Sequence, residues 1–207
     1  MAILSNSEGT TLEICFKDFE DGWVSYEINF LWRGDPILNE AILGRKQLRE
    51  TYSPGAIFAN DYRESDLLPI LKKVIETNQP DYWEPIEPDV ILAIYPEMRF
   101  PFLPGKYRVI RESDEYRRKR EEREKLKAEK GILPDDWITL ICFVDAYAFK
   151  NGGYCGDGVS LHLDLRRQEL ERFYEDLKTE YLDFKMRFGV DQFNREEVGD
   201  DWEPMQL

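Results

Sequence analysis

Histidine is almost missing from this chain. Among 207 residues His162 is the single imidazole, and Cys15, Cys142 and Cys155 are the only thiols. One histidine and three scattered cysteines do not make a structural zinc set, which needs four nitrogen or sulfur ligands. The odd cysteine count and the lack of CxxC spacing argue against a disulfide framework and point to a reducing cytosol. No stretch approaches the roughly 20 apolar residues that span a bilayer. The opening MAILSNSEGTTLE has neither the positive start nor the apolar run of a secretory signal. There is no GxxxxGKS/T motif and no GxGxxG between a strand and a helix, so a phosphate cradle is not expected. The expectation is a cytoplasmic protein with no cofactor, no metal and no membrane attachment.

Acid is what the chain has in excess. Forty-two Asp and Glu outweigh 28 Lys and Arg, for a net charge of −14. Such a surface repels nucleic acid and attracts basic partners. Hydrophobic residues at 42% and aromatics at 14% supply an ordinary globular core. The length allows one large domain or two small ones.

Periodicity locates the elements. Leu12, Ile14 and Phe16 recur at every second position, and Val24, Tyr26, Ile28, Phe30 and Trp32 alternate with Ser25, Glu27, Asn29 and Leu31. Asp21-Gly22 between the two runs is a hairpin turn signal, so an antiparallel pair is expected. Residues 37–48 have room for one or two short strands, and residues 52–62 read as loop. Ser65 can cap a helix to about Asn78 with Leu67, Leu71, Val74 and Ile75 on one face. Pro80, Pro85 and Pro88 argue against regular structure in residues 79–89. Residues 90–95 and 106–110 read as strands, and residues 137–149 as a long central strand covered on both faces. Gly152-Gly153 opens a turn that Gly158 closes, before Val159, Leu161, Leu163 and Leu165 mark another strand. Leu170, Phe173, Tyr174, Leu177, Tyr181, Phe184 and Phe188 then form one helical stripe.

Two segments stand apart. Residues 111–130 hold nine basic and seven acidic side chains. Pairs such as Glu115 with Lys119 have the i,i+4 spacing of an exposed, salt-bridged helix. Residues 191–207 hold six acids against Arg195 alone and read as a loosely ordered tail. The pattern predicts an α+β fold: a mostly antiparallel sheet in one domain over residues 1–190, with a long C-terminal amphipathic helix packed on it. The charged helix near residues 111–130 is an exposed insertion.

The candidates for chemistry are few. Cys155 and His162 lie seven residues apart. The extended stretch from Gly158 to His162 alone spans about 13 Å, too far for a local dyad. Cys142 on the neighbouring strand reads as core. Asp18, Glu20 and Asp21 resemble part of a calcium loop but lack its remaining ligands, so an acidic hairpin is the better reading. Asp145 interrupts the apolar central strand and, with Asp164, defines an alternative: a hydrolase using carboxylates near that strand. Arg117-Arg118-Lys119-Arg120 is a basic cluster, yet Glu121, Glu122 and Glu124 follow it directly, and a polyanion is not the expected partner. The proline-bounded segment sets Tyr82 and Trp83 among Asp81, Glu84, Glu87 and Asp89. Aromatics anchor partners and acids steer basic ones, so these six residues are the candidate partner-binding site.

The C-terminal third carries a resemblance. Its residues are the turn Tyr154-Cys155-Gly156-Asp157-Gly158, the strand Val159-Ser160-Leu161-His162-Leu163-Asp164-Leu165, and the helix from Arg166-Arg167-Gln168-Glu169 to Leu177. It resembles small acidic immunity proteins of bacterial polymorphic toxin systems. That resemblance implies a non-catalytic protein that binds and neutralises a cognate basic toxin. A structural subunit of a larger assembly is a further alternative.

Overall fold

The computed structural model describes residues 1–20, 23–38, 48–51, 67–84, 90–96, 113–129, 136–145 and 158–198. Strands β1 (Ala2–Ser5), β2 (Thr10–Glu20), β3 (Trp23–Trp32) and β4 (Asp35–Leu38) follow one another in an antiparallel sheet, and β5 (Leu48–Thr51) also pairs with β3. A second antiparallel sheet runs β6 (Asp81–Trp83), β7 (Val90–Pro96), β8 (Trp137–Asp145), β9 (Gly158–Arg166). The helices are α1 (Leu67–Thr77), α2 (Asp114–Glu129), α3 (Arg167–Phe188) and α4 (Val190–Val198). This is the α+β class that the pattern predicts, with its strands divided between two sheets.

The β2–β3 pair follows from alternation. Leu12, Ile14 and Phe16 stand opposite Phe30, Ile28 and Tyr26, and all six are buried. The register then slips by one residue, with Phe16 opposite Tyr26 but Asp18 opposite Ser25. This bulge inverts the alternation, so Phe19 rather than Asp18 packs on the core. The bulged Lys17 turns its ammonium to Glu27 at 2.6 Å, and the bond to that carboxylate raises the lysine's pKa. Glu20 pairs with Trp23; the turn signal Asp21-Gly22 lies outside the described residues. Trp32 departs from the expected core stripe. It ends its strand 49% exposed, with the Arg33 guanidinium 4.9 Å from its ring centre.

In the second sheet β8 is central, as its nearly continuous apolar sequence requires. Val144, Cys142, Leu140 and Ile138 stand opposite Val90, Leu92, Ile94 and Pro96, and this face joins the core. Residues 146–157, including Cys155, lie outside the described residues, as do 52–62 and 106–110. The three prolines of residues 79–89 do not exclude regular structure: Asp81–Trp83 forms the short terminal strand β6 on β7. Pro80 falls just before it, where no ladder hydrogen bond is required of it.

Helix α3 lies across β1 and β2 and beside α1. Its buried residues are Leu170, Phe173, Tyr174, Leu177, Tyr181, Phe184 and Lys185. Only the lysine falls outside the predicted stripe, while Phe188 is partly buried against the core. The Arg166 amide donates to Glu169 at 2.6 Å at the N-terminus, and Gly189 ends the helix at φ 64°, a left-handed conformation suited to glycine. Arg167 closes a second helix end. Its guanidinium donates to the Ile75 carbonyl at 2.7 Å and to the Asn78 side chain, a cation at the negative end of α1.

Among the described residues one contiguous core joins both sheets, α1 and α3. The first part of the acidic tail, through Val198, is helical. Residues 190–198 are helical because Val190 is buried, Phe193 meets Phe19 edge-on at 5.2 Å, and Asp191 pairs with Lys185 at 2.5 Å. Residues 199–207 lie outside the described residues. Helix α2 stands where the charge pattern predicts it. Every α2 side chain that the structure describes is exposed, Leu126 included, and Lys119 reaches Glu115 at 2.6 Å.

Candidate protein-interaction surface

Strand β6 is the outermost strand of its sheet among the described residues. Alternation in so short a strand sends neighbouring side chains to opposite faces. Trp83 therefore turns inward and is 1% exposed, while Tyr82 turns outward and is 57% exposed. Asp81 ties β6 to the helix layer: its carboxylate meets Lys73 of α1 at 2.8 Å and also accepts the Tyr82 amide at 2.9 Å. Glu84 is exposed at the strand's end. Glu87 and Asp89 lie outside the described residues.

The six candidate residues thus separate. Tyr82 and Glu84 face solvent, and Asp81 is partly exposed. Trp83 is a core residue and does not present its ring to a partner. The sequence had left its role undecided, because aromatics flanked by prolines and acids occur both as anchors and as pins.

Register places Tyr82 in a cross-strand row with Ala93, Ile141 and His162, on the face of the second sheet away from the core side. Tyr95, Thr139 and Asp164 form the neighbouring row. Thr139 donates to Asp164 at 2.7 Å, and burial pushes the Tyr95 phenol above its ordinary range. At the end of this face the Arg166 guanidinium lies 3.6 Å over the Trp137 ring and 2.7 Å from Asp136. Tyr82, His162 and Asp164 are exposed, whereas Thr139 and Ile141 are buried.

The same register places several chemical candidates. Cys142 stands opposite Leu161 and Ile141 opposite His162, so Cys142 and His162 belong to opposite faces and form no dyad. Full burial pushes the Cys142 thiol up to about 12, where almost none is thiolate at neutral pH. Asp164 stands opposite Thr139, and Asp145 opposite Gly158. Residues 139 and 145 are six positions apart on one strand, about 20 Å. Backbone positions 164 and 145 are therefore well separated along the ladder. Asp18 accepts the amide of Phe19 at 2.9 Å, a local turn bond. Among the described residues no three His, Cys, Asp or Glu side chains are grouped to hold a metal ion, and no helix is long and apolar enough to cross a membrane.

No family model, no curated protein and no solved structure matches this chain.

Proposed function

We propose that the chain is a non-catalytic protein-binding module that docks a basic partner by charge complementarity, in the manner of an immunity protein neutralising a basic toxin. One observation carries the reading. Tyr82 stands 57% exposed between two carboxylate residues, Asp81 and Glu84, at the outer strand of a sheet, on a chain of net charge −14. An aromatic ring of this kind supplies contact area at small entropic cost, and the surrounding acids accelerate encounter with a cation-rich surface. Arg166 is already engaged with Trp137 and Asp136, so the described bases do not cancel that acidity at β6 beyond the pairing of Lys73 with Asp81.

The test is capture with the immobilised full chain at low and at high salt. A basic protein recovered at low salt, and lost both at high salt and from the double variant Tyr82→Ala/Glu84→Lys, is the expected result. Recovery of no protein under any condition would overturn the reading.

A further inference from the structure

The solvent side of α3 has a pattern that the core does not explain. Leu182 and Met186 stand one turn apart and are 40% and 77% exposed, on the side of the helix away from Phe173, Leu177 and Phe184. Isolated exposed apolar side chains are ordinary, but two at i and i+4 form one continuous patch. Glu175 and Glu171 lie seven and eleven residues before Leu182, on the same outward stripe. Glu76 of the neighbouring α1 joins them. The Tyr174 phenol is pushed up first by burial and then by the negative charges of Glu175 and Glu76, which sets both carboxylates near one ring. Of the bases close by, Lys185 is turned to Asp191 at 2.5 Å and Arg172 donates to the Gln168 carbonyl at 3.1 Å, while Lys178, 5.9 Å over the Tyr174 ring, stands beside these carboxylates and offsets part of their charge. The face is apolar toward the C-terminal end of α3 and acidic toward its middle.

Charge decides the occupant. A second copy of the chain would bring the same acids and the same −14 against this face, a like-charge juxtaposition that disfavours association. A cationic helix would present lysines or arginines to Glu171, Glu175 and Glu76 while laying an apolar stripe on Leu182 and Met186. Methionine adapts its shape to such a stripe, and anchors at i and i+4 are the usual reading of a helix by a helix-lined surface. We propose that this face of α3 docks a basic amphipathic helix of a partner protein. The proposal rests on reading the chain as a binder of basic protein, and it commits to a surface distinct from β6.

The probe is a synthetic amphipathic helix of leucine and lysine, titrated into the full chain at low salt by calorimetry. Its partner control carries glutamine in place of lysine. Saturable binding of the lysine peptide is expected, weakened roughly tenfold by Met186→Asp and again by Glu175→Lys, and unchanged by Tyr82→Ala. Circular dichroism verifies that each variant keeps its fold, as these exposed positions should allow. Equal affinity in wild type and Met186→Asp, or no saturable binding, overturns the proposal. A captured basic protein that releases on Tyr82→Ala but not on Met186→Asp would sink this inference alone and leave the binding reading intact. If neither the peptide nor any basic protein binds, both fall.

Discussion

Two adjacent residues, Tyr82 and Trp83, look equivalent in the sequence, and the structure assigns them opposite consequences. Trp83 is 1% exposed and belongs to the shared core. Burying a tryptophan removes about 150–250 Å² from water, worth about 4–6 kcal/mol at ~25 cal/mol/Å². Trp83→Ala also leaves a cavity that neighbours fill only in part, and measured losses for such changes are about 3–5 kcal/mol. With a urea slope of about 2–3 kcal/mol/M, the unfolding midpoint should fall by about 1–2 M. Tyr82→Ala removes an exposed ring, and the expected change lies within about 0.5 kcal/mol. Urea unfolding followed by circular dichroism measures both variants on one scale. A Trp83→Ala midpoint within about 0.3 M of wild type would refute the placement of this side chain in the core. A large loss from Tyr82→Ala would refute the assignment of faces in β6.

Further expectations follow from single contacts. Gly158→Ala would put a Cβ 2.0 Å from the Val144 carbonyl oxygen; backbone cannot yield as a flexible side chain can, so a loss of about 1–3 kcal/mol in urea unfolding is expected. The Cys142 thiol is raised from 9.0 to about 12 in the folded state. The unfolded chain therefore releases this proton first, and stability held below pH 9 declines as pH rises toward 12. Unfolding measured at pH 8 and pH 10.5 should reveal that decline, and Cys142→Ala should diminish it. Asp191→Asn replaces the carboxylate that meets the nearly buried Lys185 ammonium at 2.5 Å with a neutral amide. Solvent screening at the exposed aspartate limits the loss to about 1–2 kcal/mol, read as a lower thermal midpoint. Leu126→Ser on α2 should leave the urea midpoint unchanged, because that side chain is half exposed.

The longer elements were legible in the sequence, whereas β1, β6 and α4 were not. Period-two alternation in β2, β3 and β9, the apolar run of β7 and the i, i+3, i+4 stripe of α3 are local properties, and each finds its face in the core apart from Trp32 and Val159 at strand ends. The charge run of α2 was legible for the same reason, since i,i+4 pairing needs no tertiary contact. The acidic excess, and with it the expectation of a basic partner, is likewise a property of composition.

Placement was another matter. The bulge at Lys17 exchanges the faces of Asp18 and Phe19, and nothing local distinguishes it from continued alternation. Proline spacing argued against a strand in residues 79–89, yet backbone hydrogen bonds to β7 hold Asp81–Trp83 extended. That pairing alone separates a solvent-facing Tyr82 from a core Trp83. The first turns of the acidic tail are helical because Phe193 finds Phe19 and Asp191 finds Lys185, partners that composition cannot reveal. Cys142 and His162 are neighbours across a ladder, but register sends them to opposite faces. Chain order therefore decided which residues alternate and where charge accumulates, since those depend on near neighbours. Which face each side chain occupies, and whether a charge meets water or a partner, was decided by long-range strand and helix packing.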